Sequence, residues 1–157
     1  MRARPPVPIV LAVAALLAHP LRAGGESAPI FVDGFFTDWA GVVEHLDPAG
    51  DQGTSGIDFR DLDLANDDDY LFVRFKLTVP VGLQEANNLE LYLDTDMNAA
   101  TGFVVGGIGA ELRWQFGART GRFYRLGSNV ATFQDDIRLR ELPSVTSPEF
   151  EIAIGRD

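Results

Sequence analysis

The sequence predicts an all-β chain, an antiparallel β-sandwich of the jelly-roll kind. Three observations carry that expectation. Apolar and polar residues alternate at a two-residue period in several short runs, clusters of Gly, Pro, Asn and Asp separate those runs, and no stretch after Pro29 shows a helical period. The clearest run is 70–77, with Leu71, Val73, Phe75 and Leu77 on one face and Tyr70, Phe72, Arg74 and Lys76 on the other. Residues two apart in a strand share a face, so this is the pattern of a half-buried antiparallel strand.

The elements follow in order. Arg2 and Arg4 precede an apolar run from Ile9 to Ala18, and the small residue Ala23 closes the segment before Gly24. This is the layout of a secretory signal peptide over 1–23, followed by a linker over 24–28 and a single β-sandwich domain over 29–157. The apolar run is well short of the roughly 20 residues that span a bilayer, so no stable membrane insertion is expected once the signal is removed. The expected location is secreted, either extracellular or periplasmic.

Ile30-Phe31-Val32 leads into the turn Asp33–Trp39, and Trp39 is expected in the core. Residues 47–58 read as a loop from their Gly, Pro, Asp and Ser content. A strand over Phe59–Ala65 and the strand starting at Tyr70 are joined by the polar tip Asn66–Asp69, which reads as a hairpin. Thr78–Asn88 reads as a loop with one helical turn near Leu83–Ala86. Leu89, Leu91 and Leu93 then alternate with Glu90, Tyr92 and Asp94, and Leu112, Trp114 and Phe116 share a face further on. A turn at Gly117–Gly121 leads into a strand over Arg122–Leu126, another strand is expected over Asp136–Leu142, and Phe150, Ile152 and Ile154 form the inward face of the last. About eight strands result by this pattern. Because the last of them ends close to Asp157, the closing strands of the sandwich are expected to be missing and the chain to come from a longer gene product.

Charge narrows the range of partners. The chain has 13 basic and 23 acidic residues, a net charge of −10, and the predicted signal removes Arg2, Arg4 and Arg22 from the basic side. A field of that sign repels phosphates, so no nucleic-acid partner is expected, while cations are favoured. There is no cysteine, which removes disulfides, thiolate metal sites and a thiol nucleophile. After the predicted signal His45 is the only histidine, so no catalytic residue stands out and the segment reads as non-enzymatic.

The chemistry concentrates at Asp94-Thr95-Asp96-Met97-Asn98-Ala99-Ala100-Thr101-Gly102. Asp94, Asp96 and Asn98 alternate at a two-residue period, so a chain curling around a small hard cation directs three oxygens to one point. Calcium, with about 6 to 8 oxygen ligands, suits such a loop. It is not an EF-hand, because the sixth position is Ala99 and the twelfth is Val105 where that motif needs Gly and Glu. The metal set is therefore Asp94, Asp96, Asn98 and Thr101, completed by Glu111, which a hairpin returns to the end of the strand carrying Asp94. Asp47, Asp51 and Asp58 form a candidate second metal site in the 47–58 loop.

Asp33-Gly34, Asp38-Trp39, the Asp58 strand, the Asn66-Asp67-x-x-Tyr70-Leu71 hairpin and Asp94-x-Asp96-x-Asn98-x-x-Thr101-Gly102 resemble, in order and spacing, secreted bacterial domains of the family 9 carbohydrate-binding module type, within the wider DOMON-like group. The resemblance covers residues 29–157. It implies a β-sandwich with structural calcium, an accessory module of a larger exported protein with a covalently attached enzyme domain. It further implies a glycan or polysaccharide ligand, contacted here by Trp114, Tyr92, Tyr124 and Arg113. Sugar-binding members hold a terminal sugar between two tryptophans, whereas here Trp39 falls in the signature turn and only Trp114 is left as a platform. The alternative is a structural or spacer domain that binds no sugar of its own.

Overall fold

The computed structural model describes residues 9–14, 29–48, 50, 56–125 and 127–156. Among them the strands are β1 (Ile9–Ala14), β2 (Glu44–Leu46), β3 (Phe59–Asn66), β4 (Tyr70–Val81), β5 (Leu89–Asp94), β6 (Phe103–Val105), β7 (Ile108–Ala110), β8 (Leu112–Gln115), β9 (Thr120–Arg125), β10 (Ser128–Thr132), β11 (Arg140–Leu142) and β12 (Ser147–Gly155), with one 3-10 turn at Phe36–Trp39. The all-β class is the class of the structure, with more strands among the described residues than the alternation alone resolves.

Two compact units share the chain. The first, built from 1–18 and 83–133, holds a five-stranded sheet in the order β1-β5-β8-β9-β10 and the small hairpin β6-β7. Leu89, Leu91, Leu93, Leu112, Trp114 and Phe116 are all buried here, as their shared period requires. The pairs β5-β8, β8-β9 and β9-β10 are antiparallel, but β1 pairs parallel to β5, from Ile9 beside Leu89 to Ala14 beside Asp94. That strand falls inside the apolar run read as the leader. Glu90 and Tyr92, expected on the polar face of β5, are buried as well. Arg113 on β8 makes this tolerable: its Nη2 lies 2.5 Å from Glu90 Oε1, and the Tyr92 hydroxyl donates to Glu90 Oε2 at 2.8 Å. A buried charge with a partner and hydrogen bonds escapes most of the penalty of an orphaned one.

The second unit, 19–82 with 134–157, holds the sheet β11-β12-β4-β3-β2, antiparallel throughout. Leu71, Val73, Phe75 and Leu77 are buried on one face of β4 beside Phe150, Ile152 and Ile154 of β12, with the Phe75 and Phe150 rings 5.6 Å apart. Each such side chain contributes roughly 1.5–3 kcal/mol by leaving water. The other face of β4 is not simply solvated. The 3-10 turn lays Trp39 over Phe72 and Ala153, with Ile30, Val32, Phe36, Val42, Ala65 and Tyr70 around it, and so forms a second apolar cluster. Glu151, fully buried, pins this turn. Its Oε1 accepts from the Asp33 and Gly34 backbone N–H groups at 2.7 and 2.6 Å, and its Oε2 accepts from Trp39 Nε1 at 3.0 Å.

Three segments differ from their predicted form. β4 runs on to Val81 through part of the expected loop, because its last residues pair loosely at Ser147 and leave Pro80 exposed, where a missing N–H costs little. No helical turn forms at 83–86; Asn87 Nδ2 instead ties the bend by donating to the Leu83 and Glu85 carbonyls. The strand expected over Asp136–Leu142 shortens to β11, since a turn closed by Leu139 N–H to Gln134 O occupies its first half.

Candidate functional site

β5 ends at Asp94, a buried carboxylate at the mouth of the 95–102 loop. Each acidic or amide side chain in the loop caps the backbone just after it. Asp94 Oδ1 accepts from Met97 N–H at 2.6 Å, Asp96 Oδ1 from Asn98 N–H at 2.9 Å, and Asn98 Oδ1 from Ala100 N–H at 3.1 Å. These Asx-type bonds curl the chain tightly enough to put Met97 at a φ of 55°, in the left-handed region. The Thr101 hydroxyl lies 3.1 and 3.0 Å from the two Asp96 carboxylate oxygens and 2.9 Å from the Asn98 carbonyl.

The β6-β7 hairpin, turned by Gly106 and Gly107 at φ 55° and 88°, brings the chain back to β8. Glu111 precedes β8 and donates its N–H to Leu93 O at 2.9 Å, which sets it beside the end of β5. Its Oε2 accepts from Thr95 N–H at 2.8 Å and lies 3.1 Å from Thr95 Oγ1. Its Oε1 is buried and has no hydrogen-bond partner. Gly102 makes room for it: a Cβ there would collide with the Ala110 carbonyl and sit 3.0 Å from Glu111 Oε1.

Asp94, Asp96 and Glu111 thus each offer an oxygen to one point, the three atoms lying within 4.8 Å of one another. Oxygens bound at 2.3–2.6 Å to a single calcium ion are at most about 5 Å apart, so the spacing fits a hard divalent cation. Among the described residues none of these three carboxylates is in an ion pair. The group can hold a metal. Asn98 and Thr101, also predicted as ligands, lie in the same loop with their side-chain oxygens engaged as described above.

The other predicted sites do not assemble as read. Asp51 lies outside the described residues; Asp58 is buried and accepts from Gly50 N–H at 2.7 Å, and Asp47 is exposed. A different acidic group forms on β2 and β3, from Glu44, Asp61 and Asp63. Two cations already serve it. Arg74 Nη1 lies 2.5 Å from Asp63 Oδ2, and Lys76 Nζ lies 3.4 Å from Asp61 and 3.5 Å from Glu44. Burial pulls the Arg74 guanidinium down, but its bonds to Glu149 and Asp63 outweigh that and hold its proton more firmly than usual. The signal for this cluster was the alternation of Asp61 and Asp63 with Arg74 and Lys76 across the hairpin.

As a binding platform, Trp114 and Tyr92 are corrected by their burial: Trp114 is 1% and Tyr92 7% exposed, so neither ring offers a face to a ligand. Arg113 is committed to Glu90. Tyr124 is half-buried against Phe103, ring centroids 6.1 Å apart. The leucines that alternate with Tyr92 marked its face as solvent-facing, which the Glu90–Arg113 pair overrides.

No protein-family description, curated protein or solved structure matches the chain. Among the described residues no helix is long and apolar enough to cross a membrane.

Proposed function

We propose that the chain is a calcium-stabilised, non-catalytic binding module of an exported protein, with a carbohydrate as its ligand. The observation that supports calcium is the uncompensated set Asp94, Asp96 and Glu111, in which Glu111 Oε1 is buried without a donor. Such an atom costs about 1–3 kcal/mol in a dry interior, and a divalent cation at that point would remove the penalty. When bound, the ion supplies positive charge that ties the 95–102 loop to the start of β8. The protein's own residues do the rest: the Asx bonds shape the loop, and Thr95 orients Glu111.

The test is a melting curve at about 1 mM calcium and again with chelator. For a dissociation constant near 10⁻⁴ M, calcium should add about 1.4 kcal/mol, a rise of about 4 °C in Tm. An unchanged midpoint would remove the metal reading. A second reading, a structural or spacer domain with no sugar ligand, is favoured by the burial of Trp114 and Tyr92. It is distinguished by a calcium response together with no retention by any glycan.

A further inference from the structure

The Asp33-Gly34 turn and the Asn66–Tyr70 hairpin, two motifs that the metal site leaves unused, border one cleft in the second unit. Its volume is about 380 Å³. Ligand sites run from about 300 to 1,000 Å³, which puts this one at the scale of a small ring compound. Phe31, Asp33, Asp67, Tyr70, Phe72 and Arg140 carry its chemistry.

Both walls are fixed in advance. Asp33 and Gly34 hang by their backbone N–H groups from the buried Glu151 carboxylate. Across the cleft, Asp67 and Tyr70 close the hairpin through Asp67 N–H to Tyr70 O at 3.0 Å, and Arg138 and Arg156 clamp its tip. Arg138 Nη2 donates to Asp69 O at 3.1 Å, Arg156 N–H donates to Asp69 O at 3.0 Å, and Arg156 Nη1 donates to Asp67 O. A site held this way loses little conformational freedom when it is filled.

The functional groups are the ones left uncommitted. Phe31 is 61% exposed and lines the cleft, outside the adjacent Trp39 cluster. The Arg140 guanidinium rests over the Tyr70 ring at 5.6 Å and, among the described residues, is in no side-chain hydrogen bond or ion pair. Asp33 and Asp67 each engage Oδ1 with turn N–H groups, and Oδ2 of each has no described donor. The cleft therefore offers an apolar ring face, a forked donor and two acceptors.

We propose that this cleft binds a neutral sugar residue, with Phe31 against the apolar face of the ring, Arg140 donating to ring hydroxyls, and Asp33 and Asp67 accepting from them. The proposal rests on the carbohydrate reading above and moves the ligand site away from Trp114. Neutrality follows from charge: two carboxylates against one guanidinium, in a chain of net charge −10, disfavour an acidic sugar.

Affinity electrophoresis of the full chain through gels containing neutral polysaccharides (a β-glucan, a xylan, a mannan and a galactan), with alginate as the acidic arm, tests it. Retardation is expected in at least one neutral gel and not in alginate, and Phe31→Ala and Arg140→Ala should each weaken it at least tenfold. Both side chains are exposed, so circular dichroism and Tm should stay at wild-type values. Retardation that survives both substitutions would overturn the cleft while leaving the carbohydrate reading in place. Retardation in alginate alone would overturn the neutral ligand. No retardation in any gel would overturn the cleft and the carbohydrate reading together, while a calcium-dependent Tm would still stand.

Discussion

Two acidic trios, Asp94-Asp96-Glu111 and Glu44-Asp61-Asp63, have the same number of carboxylates and similar spacing, yet they differ in what balances them. In the second trio Arg74 and Lys76 lie on the neighbouring strand, in register with Asp63 and Asp61, and the negative charge is answered from within the chain. In the first, among the described residues, no lysine or arginine pairs with the carboxylates. A buried oxygen without a hydrogen-bond donor occurs in both trios, Glu111 Oε1 in the first and Asp61 Oδ1 and Asp63 Oδ1 in the second, so the ion pairs are what separates them. Counting acids therefore does not locate a cation site. What matters is whether the fold delivers a counter-charge of its own.

The largest expected effect tests the paired trio. Arg74 is shared by Asp63 and Glu149, both 2.5 Å away. Arg74→Met leaves Asp63, 1% exposed, without its cation, and should cost about 3 kcal/mol in urea unfolding. Adding Asp63→Asn should recover part of that loss; an unaltered midpoint in the single variant would break the comparison.

Next comes Tyr92, which reports on a third internally balanced carboxylate. Burial, and then the hydrogen bond to Glu90, push its phenol up from 10.0 to about 12. A group raised in the folded state contributes stability that is complete below pH 10 and is lost as pH climbs through 12, up to about 3 kcal/mol. Unfolding measured below pH 10 and near pH 12 should show that loss, and Tyr92→Phe should flatten this part of the slope. Ultraviolet titration finding Tyr92 at its ordinary value would show that Glu90 does not act on it.

The smallest effect sharpens the contrast. Glu111→Gln should abolish the calcium-dependent gain of about 1.4 kcal/mol, whereas Asp63→Asn should keep it. A response that follows Asp63 instead would reverse the roles of the two trios.

The strands were legible where one face is wholly apolar and the other is mixed. Leu71, Val73, Phe75 and Leu77 declare β4 because their partners on the other face include Arg74 and Lys76. Legibility ended where a buried face carries charge. Glu90 and Tyr92 look solvent-facing in the sequence, and only the position of Arg113 on the next strand, 23 residues from Glu90, lets them go inside. Trp114 shares its period with Leu112 and Phe116 and is buried as that period requires; its role as a platform was implied only by the resemblance. In the 94–111 region the two-residue spacing and the glycine hairpin pointed to the neighbourhood of Asp94, Asp96 and Glu111, because the hairpin is local. In the other trio Asp61 and Asp63 lie on a hairpin the sequence announces, whereas Glu44 comes from β2, a short strand with no alternation to mark its pairing.

Glu151 carries a consequence for how the molecule comes into being. The Asp33-Gly34 turn and Trp39 emerge early in synthesis, yet their anchor lies up to 118 residues later, on the final strand. Until β12 pairs with β4, the early turn has no acceptor for three of its donors, and Trp39 stays without its buried hydrogen bond. Closing so long a loop is slow relative to local pairing. The N-terminal cap of the second unit is thus among the last parts to set, and the cleft that it borders takes shape only when the chain has been read through to β12.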